Sequence, residues 1–199
     1  MGDWQSYSLS DFLLFSSRTY YRLFELANNA FWPGPLLAYA IGLLLLLVIW
    51  RRPPSHERIT AVALGLAWIC SGWIFVWQHY SVINWTANYI APLFWLEGSV
   101  LLLIAVSKTG VTLPPINTPS TRTLFILLAG ILLFYPLGAL LFGRSLSSAE
   151  IYGIAPDPTA LATVIVLLIA TGRTRWLLMI IPAIWCLISA LTMWAMHAQ

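Results

Sequence analysis

The sequence predicts an all-α integral membrane protein: six transmembrane helices preceded by an N-terminal amphipathic interfacial helix, with both termini outside the cytoplasm. Three observations carry this. Only 9% of the residues are charged and 60% are hydrophobic, whereas a soluble domain is about 25% charged. Apolar runs of about 20 residues, the length that crosses a bilayer core, recur along the chain. Lys and Arg gather in alternate loops between those runs, as orientation signals do. The net charge of +3 therefore points to membrane topology and not to nucleic acid.

The chain divides into a surface segment, 1–32, and a transmembrane domain, 33–199. The N-terminal stretch lacks a basic region ahead of its first apolar residues and so does not read as a signal peptide. Ser10 and Asp11 suit the cap of a short turn. Ser16 and Ser17 suit the cap of a helix running to about Asn29. Tyr20, Leu23, Phe24 and Ala27 recur at helical spacing, with Arg18, Arg22 and Glu25 on another face. Such a helix either lies on the membrane surface or packs on the protein's own loops.

The spans are expected at about 35–50, 59–80, 83–107, 123–142, 158–171 and 176–196. Gly34, Ala38 and Gly42 present a smooth face in the first, and Ala61 and Gly65 in the second. The first span stops at Arg51-Arg52-Pro53-Pro54. The second ends in Trp73, Trp77, His79 and Tyr80, an interfacial composition. A turn of a few residues joins it to the third in a tight antiparallel hairpin. Pro136 is expected to kink the fourth span. Ala149 to Tyr152 suit a short turn in the loop after it. Asp157-Pro158 reads as an N-cap followed by proline at the first helical position of a short fifth span. The sixth is interrupted by Pro182. Arg51, Arg52, Arg58, Lys108, Arg122, Arg173 and Arg175 follow spans one, three and five, while Arg18, Arg22 and Arg144 fall on the other side. Basic loops stay in the cytoplasm, which sets both termini outside.

Glu97 is the one acid or base deep inside an apolar run. A charge at such depth costs about 2.5–3.5 kcal/mol on the insertion scale, so it marks a functional hypothesis. It reads as a proton or cation site or a counter-charge, or else as a protonated acid hydrogen-bonded to a neighbouring helix. Asn84, Asn88 and His79, close together across the second turn, complete a candidate intramembrane polar site with it. On the outer face, where most tryptophans also fall, Arg144 and Asp157 form a second candidate site, although Asp157 is better explained as a helix cap than as a catalyst. His56 and His197 do not pair on facing helices as bis-histidine haem would require. Asn84-Trp85-Thr86 matches the glycosylation pattern, which is common by chance. Cys70 and Cys186 fall mid-span and read as free, buried thiols. No metal-ligand spacing, catalytic triad, phosphate loop or dinucleotide fingerprint is present. The expectation is a non-enzyme with no catalytic residue, no metal and no resident cofactor, bound by lipid. A quinone or pigment among the tryptophans stays open.

Four stretches occur together and in order: SLSDFLLFSSRTYYRLFEL from Ser8, INW at 83–85, APDPTALAT from Ala155 and IPAIWCLISALTMWAM from Ile181. As a set they resemble the bacterial integral-membrane family known as domain of unknown function 6064, over essentially the whole chain. The resemblance implies a multi-pass protein of the bacterial cell inner membrane and carries no activity with it. The functional expectation, in order, is a structural or accessory subunit of a larger membrane complex, a small-solute, ion or proton-coupled transporter using Glu97, and a quinone- or pigment-binding protein.

Overall fold

The structure, a computed structural model, describes residues 16–107 and 111–197. Ser10, Asp11 and Lys108, and the expectations placed on them, lie outside the described residues.

Nine α-helices occur among the described residues: α1 Ser17–Ala30, α2 Gly34–Arg51, α3 His56–Ser71, α4 Ala87–Ser107, α5 Pro119–Phe134, α6 Gly138–Leu141, α7 Pro156–Ile169, α8 Thr174–Leu178 and α9 Ile180–His197. Five stretches are long and apolar enough to cross a membrane: Gly34–Arg51, His56–Val82, Ala87–Ser107, Pro119–Leu141 and Thr174–Met196. The expected fifth span is α7. Its 14 residues extend only about 21 Å at 1.5 Å per residue, against a hydrocarbon core of about 30 Å.

The amphipathic pattern at the start forms α1. Ser16 caps it, its Oγ accepting from the Thr19 N–H at 3.3 Å, and Tyr20, Leu23, Phe24 and Ala27 are buried. That apolar face packs on the protein itself. The Phe24 ring stacks on Phe75 with centroids 4.2 Å apart, and Tyr20 meets Phe75 and Tyr80 edge-on. Asn28 Nδ2 ties the helix to the later loop by donating to the carbonyls of Ser147 and Ala149, both at 2.8 Å.

The α3–α4 hairpin is held by close backbone approach. A methyl group on Gly65 would stand 2.8 Å from the Gly98 carbonyl, and one on Gly98 would stand 2.6 Å from the Gly65 carbonyl. Only glycine at both positions lets the helices come this near. Past Ser71 the helix loosens into a π-helical turn, Gly72–Trp77, which the sequence pattern did not predict. The third span begins at Ala87 and not at Ile83. Asn84 Oδ1 accepts from the Thr86 N–H at 3.1 Å and its hydroxyl at 2.6 Å, an Asx turn that ends the connection and starts α4. Where a kink at Pro136 is expected, the helix breaks into a 3-10 turn, Tyr135–Leu137, between α5 and α6. Pro182 does not interrupt the last span. The break falls at Met179, between α8 and α9, and Pro182 lies in the first turn of α9, where no N–H is needed.

The segment leading into α7 departs most from expectation. A short 3-10 turn forms at Leu146–Ser148, ahead of the expected turn at Ala149 to Tyr152. From Ser148 to Ala160 every residue except the half-buried Ile151 is buried. Tyr152 donates its hydroxyl to the Ala63 carbonyl at 3.1 Å. Gly153, at φ +82°, lies against Ala67 and Ala38. Irregular backbone at such depth must satisfy its own polar groups. Here Ile154 and Ala155 donate to the Ile151 carbonyl, and the Gly153 N–H donates to Thr159 Oγ1 at 2.8 Å. The chain thus enters the bundle before α7 begins, which is why α7 is short.

Both cysteines are free. Cys186 is half-buried, but Cys70 is exposed on the outside of the bundle and not buried within it.

Candidate functional site

Glu97 lies on the buried stripe of α4 formed by Ala91, Phe94, Glu97, Leu101 and Ala105. It is 3% exposed, and its Oε1 has no hydrogen-bond partner among the described residues. One turn before it, the Phe94 ring packs against Trp68 at 4.5 Å and Trp185 at 5.0 Å. One turn after it, Leu101 lines a cavity of about 270 Å³ with Thr60, Glu57 and Arg58. Trp185 lines a second cavity of about 500 Å³ at the opposite end of the bundle, with Asp157, Glu150, Arg144, Tyr135 and Ser189. Glu97 lines neither cavity: it stands between them, one helical turn from Leu101 in the wall of the first, and one turn (to Phe94) plus an aromatic contact from Trp185 in the wall of the second.

The larger cavity is built from distant parts of the chain. Gly143, at φ +68°, turns the backbone after α6, and the Arg144 N–H bonds back to the Ala139 carbonyl at 2.7 Å. The Arg144 guanidinium then lies over the Tyr21 ring at 3.7 Å, and its Nη2 donates to Glu150 Oε1 at 3.2 Å. Arg144 Nε, Arg144 Nη1 and Glu150 Oε2 are buried without partners among the described residues. Burial, with the neighbouring Asp157 charge, pushes the Glu150 carboxyl up to about 7, and Arg144 offsets part of this.

Asp157 does not cap α7. The helix starts one residue earlier, at Pro156, with Ala155 as its N-cap. The Asp157 carboxylate instead accepts from Trp185 Nε1 and Ser189 Oγ on α9, both at 2.8 Å. It is 4% exposed, so Glu97 is not alone as a buried acid inside an apolar helix.

The structure brings Arg144 and Asp157 into one cavity. It does not bring Asn84, Asn88 and His79 to Glu97. Asn84 lies 13 residues before it, roughly 20 Å along the chain at helical rise, and donates from Nδ2 to the Tyr80 hydroxyl at 2.9 Å. Asn88 is exposed and donates to the Trp85 carbonyl. His79 Nδ1 lies 2.7 Å from the Ile74 carbonyl. These three serve the backbone at the turn between the helices. His56 bonds locally near Arg52 and the Pro53 carbonyl. Sequence reasoning missed Glu150, Tyr135, Trp185 and Ser189. The one available signal for the last two was their spacing of four, which puts an indole N–H and a hydroxyl on one face of α9.

Among the described residues no three of His, Cys, Asp and Glu come together as metal ligands would. The chemistry on offer is proton and cation exchange on buried carboxylates, with a guanidinium and aromatic rings beside two of them.

The fold is thus an all-helical bundle with five helices long and apolar enough to cross a membrane and buried acids in its interior. The chain belongs to the family of unknown function DUF6064, which matches residues 17–198. Among curated proteins and solved structures none matches it.

Proposed function

We propose that this protein is a multi-pass transporter of the bacterial inner membrane that moves protons, or a small solute coupled to protons or cations, through Glu97. In this reading the chain crosses the membrane six times. The short crossing by α7 is completed by the buried residues just before it, Tyr152 to Ala155, with Glu150 outside the crossing. Both termini lie outside the cytoplasm, and α1 rests at that surface while docked on the bundle. Lipid is the surrounding partner, and no bond-making chemistry or resident cofactor is involved. The observation that carries the reading is the position of Glu97 between cavities at opposite ends of the bundle, with an unpartnered buried oxygen. A short, interrupted crossing beside buried charge is also how many transporters build their binding sites. Reconstitution into vesicles, with Glu97→Gln beside the unaltered protein, tests it.

One observation favours the reading as an accessory subunit of a larger complex. Ile180, Ile184, Leu187, Leu191 and Trp194 are exposed along α9 at alternating spacings of four and three, the pattern that seats one helix against another. Extraction in mild detergent followed by native mass spectrometry would show a stoichiometric partner on that stripe or none.

A further inference from the structure

The end of the bundle that carries α1 has three arginines. Arg18 and Arg22 stand on α1, and Arg144 follows α6. Arg51, Arg52, Arg58, Arg122, Arg173 and Arg175 stand at the other end, where α2 and α7 finish and α3, α5 and α8 begin. Although Arg144 is more than a hundred residues from the other two, all three line a single cavity of about 560 Å³, together with Ser145 and Ser148. Glu25 is the one acid in its wall, so the formal charge of the wall is three minus one, or +2.

The fold uses Arg144 in part and leaves Arg18 and Arg22 outside any ion pair among the described residues. Arg144–Glu150 is the ion pair found among the described residues, and neither Arg18 nor Arg22 takes part in one. Arg144 uses Nη2 on Glu150, while its Nε and Nη1 are buried and have no acceptor among the described residues. Buried charged donors without acceptors are costly. Both atoms are closed to solvent, so an anion in the cavity reaches them only when the Arg144 guanidinium turns outward. Three guanidinium groups with serine hydroxyls suit an anion with several oxygens and more than one direction of approach, since each guanidinium can take two oxygens of a phosphate side by side. The exposed Phe142 ring and Met196 also line the cavity, giving it an apolar side.

We propose that this cavity binds a phosphate group, with Arg144 gripping it from within the wall and Arg18 and Arg22 closing over it from α1. The group belongs either to a phospholipid, whose acyl chains would pass along Phe142, or to a soluble phosphate compound. In either case it joins α1 to the segment after α6.

The test uses the full chain in a phosphate-free maltoside detergent and reads the unfolding midpoint by tryptophan fluorescence. Inorganic phosphate, dioctanoyl phosphatidylglycerol and dioctanoylglycerol are titrated in turn, with chloride matching the ionic strength. A saturable rise with the phospholipid alone assigns a lipid headgroup, and a rise with inorganic phosphate as well assigns the bare phosphate group. The Arg18→Gln/Arg22→Gln double variant changes two exposed side chains, so its unliganded midpoint is unchanged, while its apparent affinity falls about tenfold or more, the equivalent of about 1.4 kcal/mol. The proposal is overturned if neither phosphate-bearing probe exceeds chloride and dioctanoylglycerol, or if the double variant responds as the unaltered protein does. The readout involves no transport, so it stands or falls apart from the role of Glu97.

Discussion

Trp185 donates its indole N–H to Asp157 across 28 residues of sequence, at 2.8 Å and fully inside the bundle. With Ser189 on the other carboxylate oxygen, the bond fastens α9 to the first turn of α7 and fixes one wall of the cavity of about 500 Å³. Trp185→Phe keeps an aromatic ring in contact with Phe94 but leaves one carboxylate oxygen unpaired. A buried acceptor stripped of its donor costs about 1–3 kcal/mol. The unfolding midpoint of Trp185→Phe falls accordingly, and Ser189→Ala moves it in the same direction.

The Gly65–Gly98 contact sets the spacing of α3 and α4. Gly98→Ala places a methyl group 2.6 Å from the Gly65 carbonyl, and backbone cannot swing aside as a side-chain tip can. The helices must part, at about 1–3 kcal/mol for overpacking. Gly130→Ala is the control, since a methyl group there meets nothing within 4 Å. Comparing folded yield and midpoint for the two variants should show loss in the first and none in the second.

Stability should depend on pH through Glu150. Burial and the Asp157 charge raise its carboxyl from the ordinary value of 4.5 to about 7 in the folded protein. The folded state then binds the proton more tightly than the unfolded state does, so this contribution to stability is fully present below the ordinary value. It is lost as the pH rises through the folded value. The unfolding midpoint therefore declines between about pH 5 and about pH 8, and Glu150→Gln flattens that decline.

Docking of α1 depends on Phe24, fully buried and stacked on Phe75. Phe24→Ala removes the ring from a packed site, a change that costs about 3–5 kcal/mol in a core. Set against one docked helix, that loss frees α1 and leaves the rest of the bundle folded. Trypsin, which cuts after Arg18 and Arg22, should then cleave α1 faster in the variant while the remaining chain stays intact.

The long helices were legible because local sequence decides them. The apolar run from Gly34 ends at paired arginines, and the ends of α2 and α4 follow from composition alone. The face of α1 followed from the spacing of Tyr20, Leu23, Phe24 and Ala27. The path into α7 was not legible. The run from Gly143 to Pro158 is rich in serine, glycine and proline, which reads as an exposed loop. Its second half, from Ser148, is nonetheless buried, and that burial depends on Gly153 fitting against Ala38 and Ala67 on two other helices. Asp157 was read as a cap for a similar reason: Asp before Pro is a local signal, whereas its partners Trp185 and Ser189 come from the following helix. Glu97 and Arg144 stood out because charge is rare in such a chain. Glu150 and Tyr135 became site residues only through tertiary packing.

In the function proposed above, Glu97 exchanges a proton or cation between the two ends of the bundle. The most direct measurement places the purified protein in sealed vesicles with an internal pH-sensitive dye, imposes a pH gradient, and follows its decay with sodium and potassium varied in turn. The expected result is gradient decay above that of empty vesicles, abolished in Glu97→Gln. The Gln variant is otherwise folded, because an amide replaces the carboxyl at nearly equal volume. Decay at the same rate in both proteins, or in neither above the empty vesicles, would contradict it.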